Sequence, residues 1–131
     1  MHKILQPEGW PAPRGYSNGM VASGRIVFVS GQVGWNAQGG FDSDDLVAQL
    51  RQALANVVAV LGADGARAEH VTAFTWYFTD KKEYLSRQKE IGEAYRAVMG
   101  KHFPTMTAVE VSSLIEPRAK VEVQAIAVVP A

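Results

Sequence analysis

Two stretches near the carboxyl end, PTMTAVEV at residues 104–111 and KVEVQAIAVV at residues 120–129, change side-chain character at every second residue. Successive side chains of a strand point to opposite faces, so this period predicts strands rather than helices. In the second stretch Lys120, Glu122, Gln124 and Ile126 share one face, while Val121, Val123, Ala125 and Ala127 share the other. One side is polar and the other apolar. In the first stretch Pro104 opens a strand with Met106, Ala108 and Glu110 on one face and Thr105, Thr107, Val109 and Val111 on the opposite one. Strands of this kind predict a sheet whose two faces differ in chemistry, one of them destined for a core.

Upstream, Tyr84, Leu85, Ile91, Tyr95, Val98 and Met99 form the apolar stripe of a helix, capped at Thr79-Asp80 and ended by Gly100. Gly92 inside that helix costs about 1 kcal/mol relative to alanine, so it marks close packing or a side chain that is missing for a reason. Val71 to Phe78, rich in β-branched and aromatic residues, reads as a buried strand. Leu46, Leu50, Leu54, Val57, Val58 and Leu61 recur at helical spacing; Ser43 is the expected cap, Asp44 and Asp45 lie at the positive end, and Gly62 follows. Gly34 to Gly40, with Trp35 and Asn36, reads as a surface loop able to approach a ligand. Met20 to Ala22 and Arg25 to Ser30 are short strand-like runs separated by Ser23-Gly24, which predicts a tight hairpin, the second strand ending at Ser30-Gly31-Gln32. Pro7, Pro11, Pro13, Gly9 and Gly15 leave the first 18 residues as a short strand and an irregular segment.

The resulting order, ββ(β)αβαββ, is α+β, with two helices of about five turns packed on one face of a sheet. So short a chain has no further helices for the second face, and oligomerisation through the sheet would cover it. With 131 residues and no linker, repeat or low-complexity tract, residues 1–131 read as a single domain. Thirteen Lys and Arg balance thirteen Asp and Glu, so no net field draws the chain to a polyanion. No apolar run reaches the roughly 20 residues of a membrane span. The absence of cysteine excludes disulfides, thiolate nucleophiles and zinc–thiolate sites within the chain. The amino terminus shows no apolar stretch of signal-peptide length, and a cytoplasmic location is the default expectation.

Several separated segments agree with one family: Gly15-Tyr16-Ser17, Phe28-Val29-Ser30-Gly31-Gln32, Asn56 late in the first helix, Pro104 with Val109-Glu110-Val111, and Val121-Glu122-Val123-Gln124-Ala125. In this order and spacing the chain resembles the RidA/YjgF family over nearly its whole length. The resemblance implies a chorismate-mutase-like fold and a homotrimer with its sheets turned inward as a barrel, leaving three small-molecule clefts at subunit boundaries. It also implies hydrolysis of enamines and imines such as 2-aminoacrylate to a keto acid and ammonia. In that chemistry an arginine in a Pro-Ala-Arg-Ser/Thr stretch holds the substrate carboxylate. The corresponding stretch here is Pro104-Thr105-Met106-Thr107, with methionine where arginine is expected. A guanidinium offers a carboxylate two parallel charged donors and a thioether offers neither charge nor useful hydrogen bonding, so the anchor is removed. Such a pair contributes on the order of 1.5–3 kcal/mol. A substrate other than the usual 2-imino acids is therefore expected. Gly92, shortly before Tyr95, stands where the family often has asparagine, a second lost polar contact.

Glu122, which the resemblance makes the residue that positions water, is the catalytic candidate; the alternative is an outward carboxylate paired with Lys120 or Arg118. The substrate-binding candidates are Tyr16, Ser30, Gly31, Met106 and Glu110. Tyr16 would stack on or hydrogen-bond a ligand, or else pack in the amino-terminal loop. Ser30 and Gly31 would offer a hydroxyl and a backbone N–H, or else form a plain turn. Glu110 would line the cleft or, on the favoured reading, make a structural hydrogen bond between subunits. Met106, helped by Trp35, would give the pocket a soft apolar wall, or else be filler. His2, His70 and His102 lack metal-ligand spacing, and no phosphate loop or nucleophile elbow is present, so neither metal nor cofactor is expected. An imine or enamine hydrolase of the deaminase type is the first reading and a non-catalytic, ligand-binding trimer the alternative. A ribonuclease fits poorly with neutral charge and no histidine pair.

Overall fold

The computed structural model describes residues 1–131. In chain order the elements are β1 (Lys3–Leu5), β2 (Gly19–Val21), β3 (Arg25–Val33), α1 (Leu46–Gly62), β4 (Val71–Phe78), α2 (Lys81–Ser86), α3 (Gln88–Met99), β5 (Thr105–Glu110) and β6 (Val121–Val129), with a 3₁₀ turn at Ala68–His70. Four strands form one mixed sheet in the order β3-β6-β4-β5; β4 and β5 are parallel and the other pairs antiparallel. Helices α1 and α3 pack together, α1 against β3 and β6, and both lie on one face of the sheet. This is the α+β arrangement expected from the order of periodicities.

The two-residue period of β6 is realised as predicted: Val121, Val123, Ala125 and Ala127 are buried, and the register pairs Val123 with Trp76 and Ala125 with Phe74. The helical stripe of α1 meets that layer through Leu50, Leu54, Val57 and Leu61, all at most 1% exposed. Truncating one of these leucines to alanine would cost about 2–5 kcal/mol, because the removed atoms leave a cavity in a close-packed layer. Asp45, rather than Ser43, caps α1: its carboxylate accepts from the Ala48 N–H at 3.0 Å, while the Ser43 hydroxyl accepts from the Asp45 N–H one step earlier.

Three further expectations are corrected. The hairpin across Ser23-Gly24 does not form; β2 pairs with β1 in a separate ribbon, and the strand beginning at Arg25 pairs along its length with β6. Gly24 is the crossing point, at φ +143° with its Cα against the Val129 carbonyl, where any side chain would collide. That second strand also runs past Ser30-Gly31-Gln32 to Val33, accommodating Ser30 and Gly31 at an irregularity in register between Val29 and Gln32. The second helix is broken at Arg87, which leaves helical geometry with φ −119° and ψ 27°. Arg87 binds Asp45 at the head of α1 and Glu90 in the first turn of α3, a pair of ties that fixes the break against α1.

Candidate functional site

The segment before β2 is tied to the start of β5. The buried Ser17 donates its hydroxyl to the Phe103 carbonyl at 2.6 Å and its N–H to the Pro104 carbonyl at 3.0 Å. This seats Tyr16 beside Met106, in a cavity of about 370 Å³ bounded by α3. The β4–β5 register pairs Phe74 with Met106, which puts Met106 on the sheet face that looks toward the helices. Trp76, Tyr84, Tyr95 and Phe103 contribute aromatic wall, and Gly92, Arg14 and Arg96 complete the rim. Tyr95 stacks on Phe103 and donates its hydroxyl to the His102 carbonyl. Burial raises the hydroxyl pKa of both Tyr84 and Tyr95 above the ordinary tyrosine value, so both stay protonated near neutral pH. They can donate a hydrogen bond and are poor bases.

A second cavity, of about 340 Å³, lies elsewhere on the subunit and holds Gly31 and Glu122 together with Tyr77, Gln124 and Ile115. The Glu122 side chain lies directly over the Gly31 Cα, in the space any side chain at position 31 would need. Glu122 enters no ion pair: Arg118, its suggested partner, bonds Asp44 instead, and Lys120 is likewise absent from the molecule's salt bridges. A half-buried carboxylate that is neither neutralised nor capped can take a proton from a water molecule.

The remaining candidates go elsewhere. Ser30 is exposed and lines neither cavity; its carbonyl accepts from the Gln32 side chain. Glu110 accepts from the Lys81 N–H at 2.6 Å, satisfying a free amide at the head of α2 within the same chain. Trp35 does not join Met106; it flanks Gly31 and Glu122, held there by the Asn56 side chain, which donates to the Val33 and Trp35 carbonyls. His2 and His102 donate to the carbonyls of His70 and Val71, and the buried His70 accepts from the Arg67 N–H. No three His, Cys, Asp or Glu side chains gather in a group that could hold a metal ion. Sequence reasoning missed Ser17 as the tether and Arg96 as a wall of the Met106 cavity. The i, i+4 spacing of Gly92 and Arg96 was the available signal for the latter.

The family model described as Endoribonuclease L-PSP matches residues 9–129. The chain belongs to the RidA/YjgF family. The 2-iminobutanoate/2-iminopropanoate deaminase of Salmonella typhimurium is 33% identical over 132 residues, covering 98% of each chain. Among solved structures, the Rid-family protein of unknown function YyfB from Yersinia pestis superposes with a TM-score of 0.87 at 28% identity over 98% of both chains. The Escherichia coli TdcF structure with bound serine gives a TM-score of 0.69 at 32% identity, over 97% of this chain and 98% of the other. The fold is thus that of a RidA/YjgF subunit, and no helix is long and apolar enough to cross a membrane.

Proposed function

We propose that this RidA/YjgF member is a homotrimeric imine or enamine hydrolase of the deaminase type, acting on substrates other than the usual 2-imino acids. One observation carries the catalytic half of this reading: the Glu122 carboxylate, free of any cation, lies over Gly31 in a cavity open to solvent. In the proposed step Glu122 takes a proton from water as its oxygen adds to the protonated imine carbon, the C=N π electrons moving to nitrogen. Glu122 then returns its proton to the carbinolamine nitrogen, and collapse expels ammonia as the hydroxyl oxygen forms the carbonyl and releases its proton to solvent. An iminium carbon is already electrophilic, so the proposal calls for no metal or cofactor. Related proteins named 2-iminobutanoate/2-iminopropanoate deaminase support the reaction class.

The trimer is proposed from the uncovered sheet face, where Phe28 is 73% and Ile26 55% exposed. Apolar side chains this exposed on a regular strand favour a partner surface. In such an assembly the Gly31–Glu122 cavity of one subunit would face the Tyr16–Met106 cavity of the next, with Ser30 at the seam. We further propose a small-molecule ligand, no nucleic-acid or membrane partner, a single domain over residues 1–131 and a cytoplasmic location. Met106 also favours a second reading, a binding trimer that has lost catalysis, since its thioether offers no grip on a carboxylate.

The test generates imines in situ from a panel of amino acids and simple amines and measures ammonia release by wild type, Glu122→Gln and Met106→Arg. Turnover by wild type should be greatest on imines without an α-carboxylate, fall by roughly 10²–10⁴-fold in Glu122→Gln, and extend to 2-imino acids in Met106→Arg. A wild type inert on the whole panel would sink the hydrolase reading. Thermal stabilisation by ligands without product would then support the binding trimer.

A further inference from the structure

The cavity beneath α3 carries positive charge that the reading above leaves unused. Arg96 and Arg14 both line it, and neither appears in any ion pair or side-chain hydrogen bond of the chain. Arg25, Arg67, Arg87 and Arg118, by contrast, are each held by a carboxylate. Arg96 is an exposed residue whose guanidinium lies over Gly92. A Cβ built on Gly92 would lie 3.1 Å from its Nη1, 3.7 Å from Nη2 and 3.8 Å from Cζ. The guanidinium therefore crosses back over the glycine one turn earlier, occupying the volume of the side chain that position 92 lacks. A larger residue at 92 would push it out. The glycine, costly in the middle of a helix, leaves room for this position of Arg96.

The rest of the lining is largely apolar and aromatic. Trp76, 2% exposed, is a wall of this cavity together with Tyr84, Ile91, Tyr95 and Phe103. The cavity thus offers two guanidinium groups outside any ion pair, aromatic walls and an apolar floor at Met106, which together describe an acid with an apolar body.

We propose that this cavity binds a small carboxylate bearing an aromatic or branched aliphatic body, with Arg96, seated on Gly92, gripping the carboxylate and the body lying against Met106. The inference rests on the reading of this cavity as part of the substrate site and sharpens its substrate class. Met106 rules against an acid group attached to the reacting carbon, and Arg96 supplies one further along the molecule. Arg14 adds a second positive charge at the rim, and a guanidinium pair with a carboxylate is directional as well as attractive.

Isothermal titration calorimetry with phenylacetate and 4-methylpentanoate, and with their uncharged amides, tests this without any turnover. Wild type should bind at least one of the two acids and prefer it to its amide. Arg96→Gln should weaken the acid at least tenfold and leave the amide unchanged, and Gly92→Leu, which fills the seat, should weaken the acid comparably. Arg96 has no intramolecular partner, so its variant is expected to fold, and an unchanged circular dichroism spectrum and melting temperature check this. Failure of both acids to bind wild type, equal affinity of acid and amide, or equal affinity in Arg96→Gln would each overturn the proposal. Inertness toward imines would defeat the hydrolase reading alone, since the titration does not depend on catalysis.

Discussion

Gln49 lies on the buried stripe of α1 between Leu46 and Leu50, only 1% exposed, and all of its hydrogen-bonding capacity used here goes to backbone. Its amide nitrogen donates to the carbonyls of Ser43 and Arg118, and its oxygen accepts from the Lys120 N–H at 2.8 Å. Replacing it with leucine keeps the bulk and strands three backbone groups. At about 1 kcal/mol or more for each group left unsatisfied, Gln49→Leu should lose about 3 kcal/mol in urea denaturation; a loss below about 1 kcal/mol would mean that water substitutes freely. Gly34 packs against the backbone of Gln49, at 2.7 Å from an added Cβ to the Gln49 Cα, so loop and helix close around the same residue. Nothing in the local sequence flags Gln49, because its partners lie six, 69 and 71 positions away.

Among the elements, the break between α2 and α3 is held from outside. Arg87 bonds Asp45, the cap of α1, and its hydrogen bond holds the Asp45 carboxyl below its ordinary pKa of 3.8. A folded-state pKa depressed in this way contributes stability that is fully present above pH 3.8 and is lost as the pH falls through the lowered value. Thermal unfolding from pH 7 to pH 2 should therefore show an acid limb that is shallower in Arg87→Gln, with the difference between the two proteins vanishing at the lowest pH. Identical limbs would show that the contact adds nothing to stability, as many exposed pairs do. The regular elements themselves were legible: the apolar stripe of α1, the bounds of β4 and the alternation of β6 each follow from nearest-neighbour periodicity. The failed hairpin at Ser23-Gly24 and the broken helix at Arg87 have long-range causes, a better strand partner about 100 residues away in one case and the carboxylate of Asp45 in the other. Of the site, Tyr16 with Met106 and Gly31 with Glu122 were legible as residues through the family resemblance. Their division between two cavities was not, since it depends on which face of the sheet each strand position serves.

For the molecule as a whole, the exposed face of β3 sets the prediction. Phe28 pairs with Ile126 across the β3–β6 ladder on the side away from the helices. A charge there would be desolvated by any partner sheet and well tolerated by a lone subunit. Wild type should scatter light with three times the mass of the chain, and Phe28→Asp with the mass of one. A wild-type monomer would overturn the trimer, and with it the joining of the two cavities.

The sheet order β3-β6-β4-β5 places β6 between β3 and β4, two strands that lie well before it in the sequence. Neither β3 nor β4 can complete its ladder until residues 121–129 arrive, and α1 has only part of its floor until then. Contacts that wait on so distant a segment form late, because the loop between them must close first. Without residues 121–129 the apolar faces of α1 and β4 lack their central partner, so the layer closes as one unit rather than strand by strand.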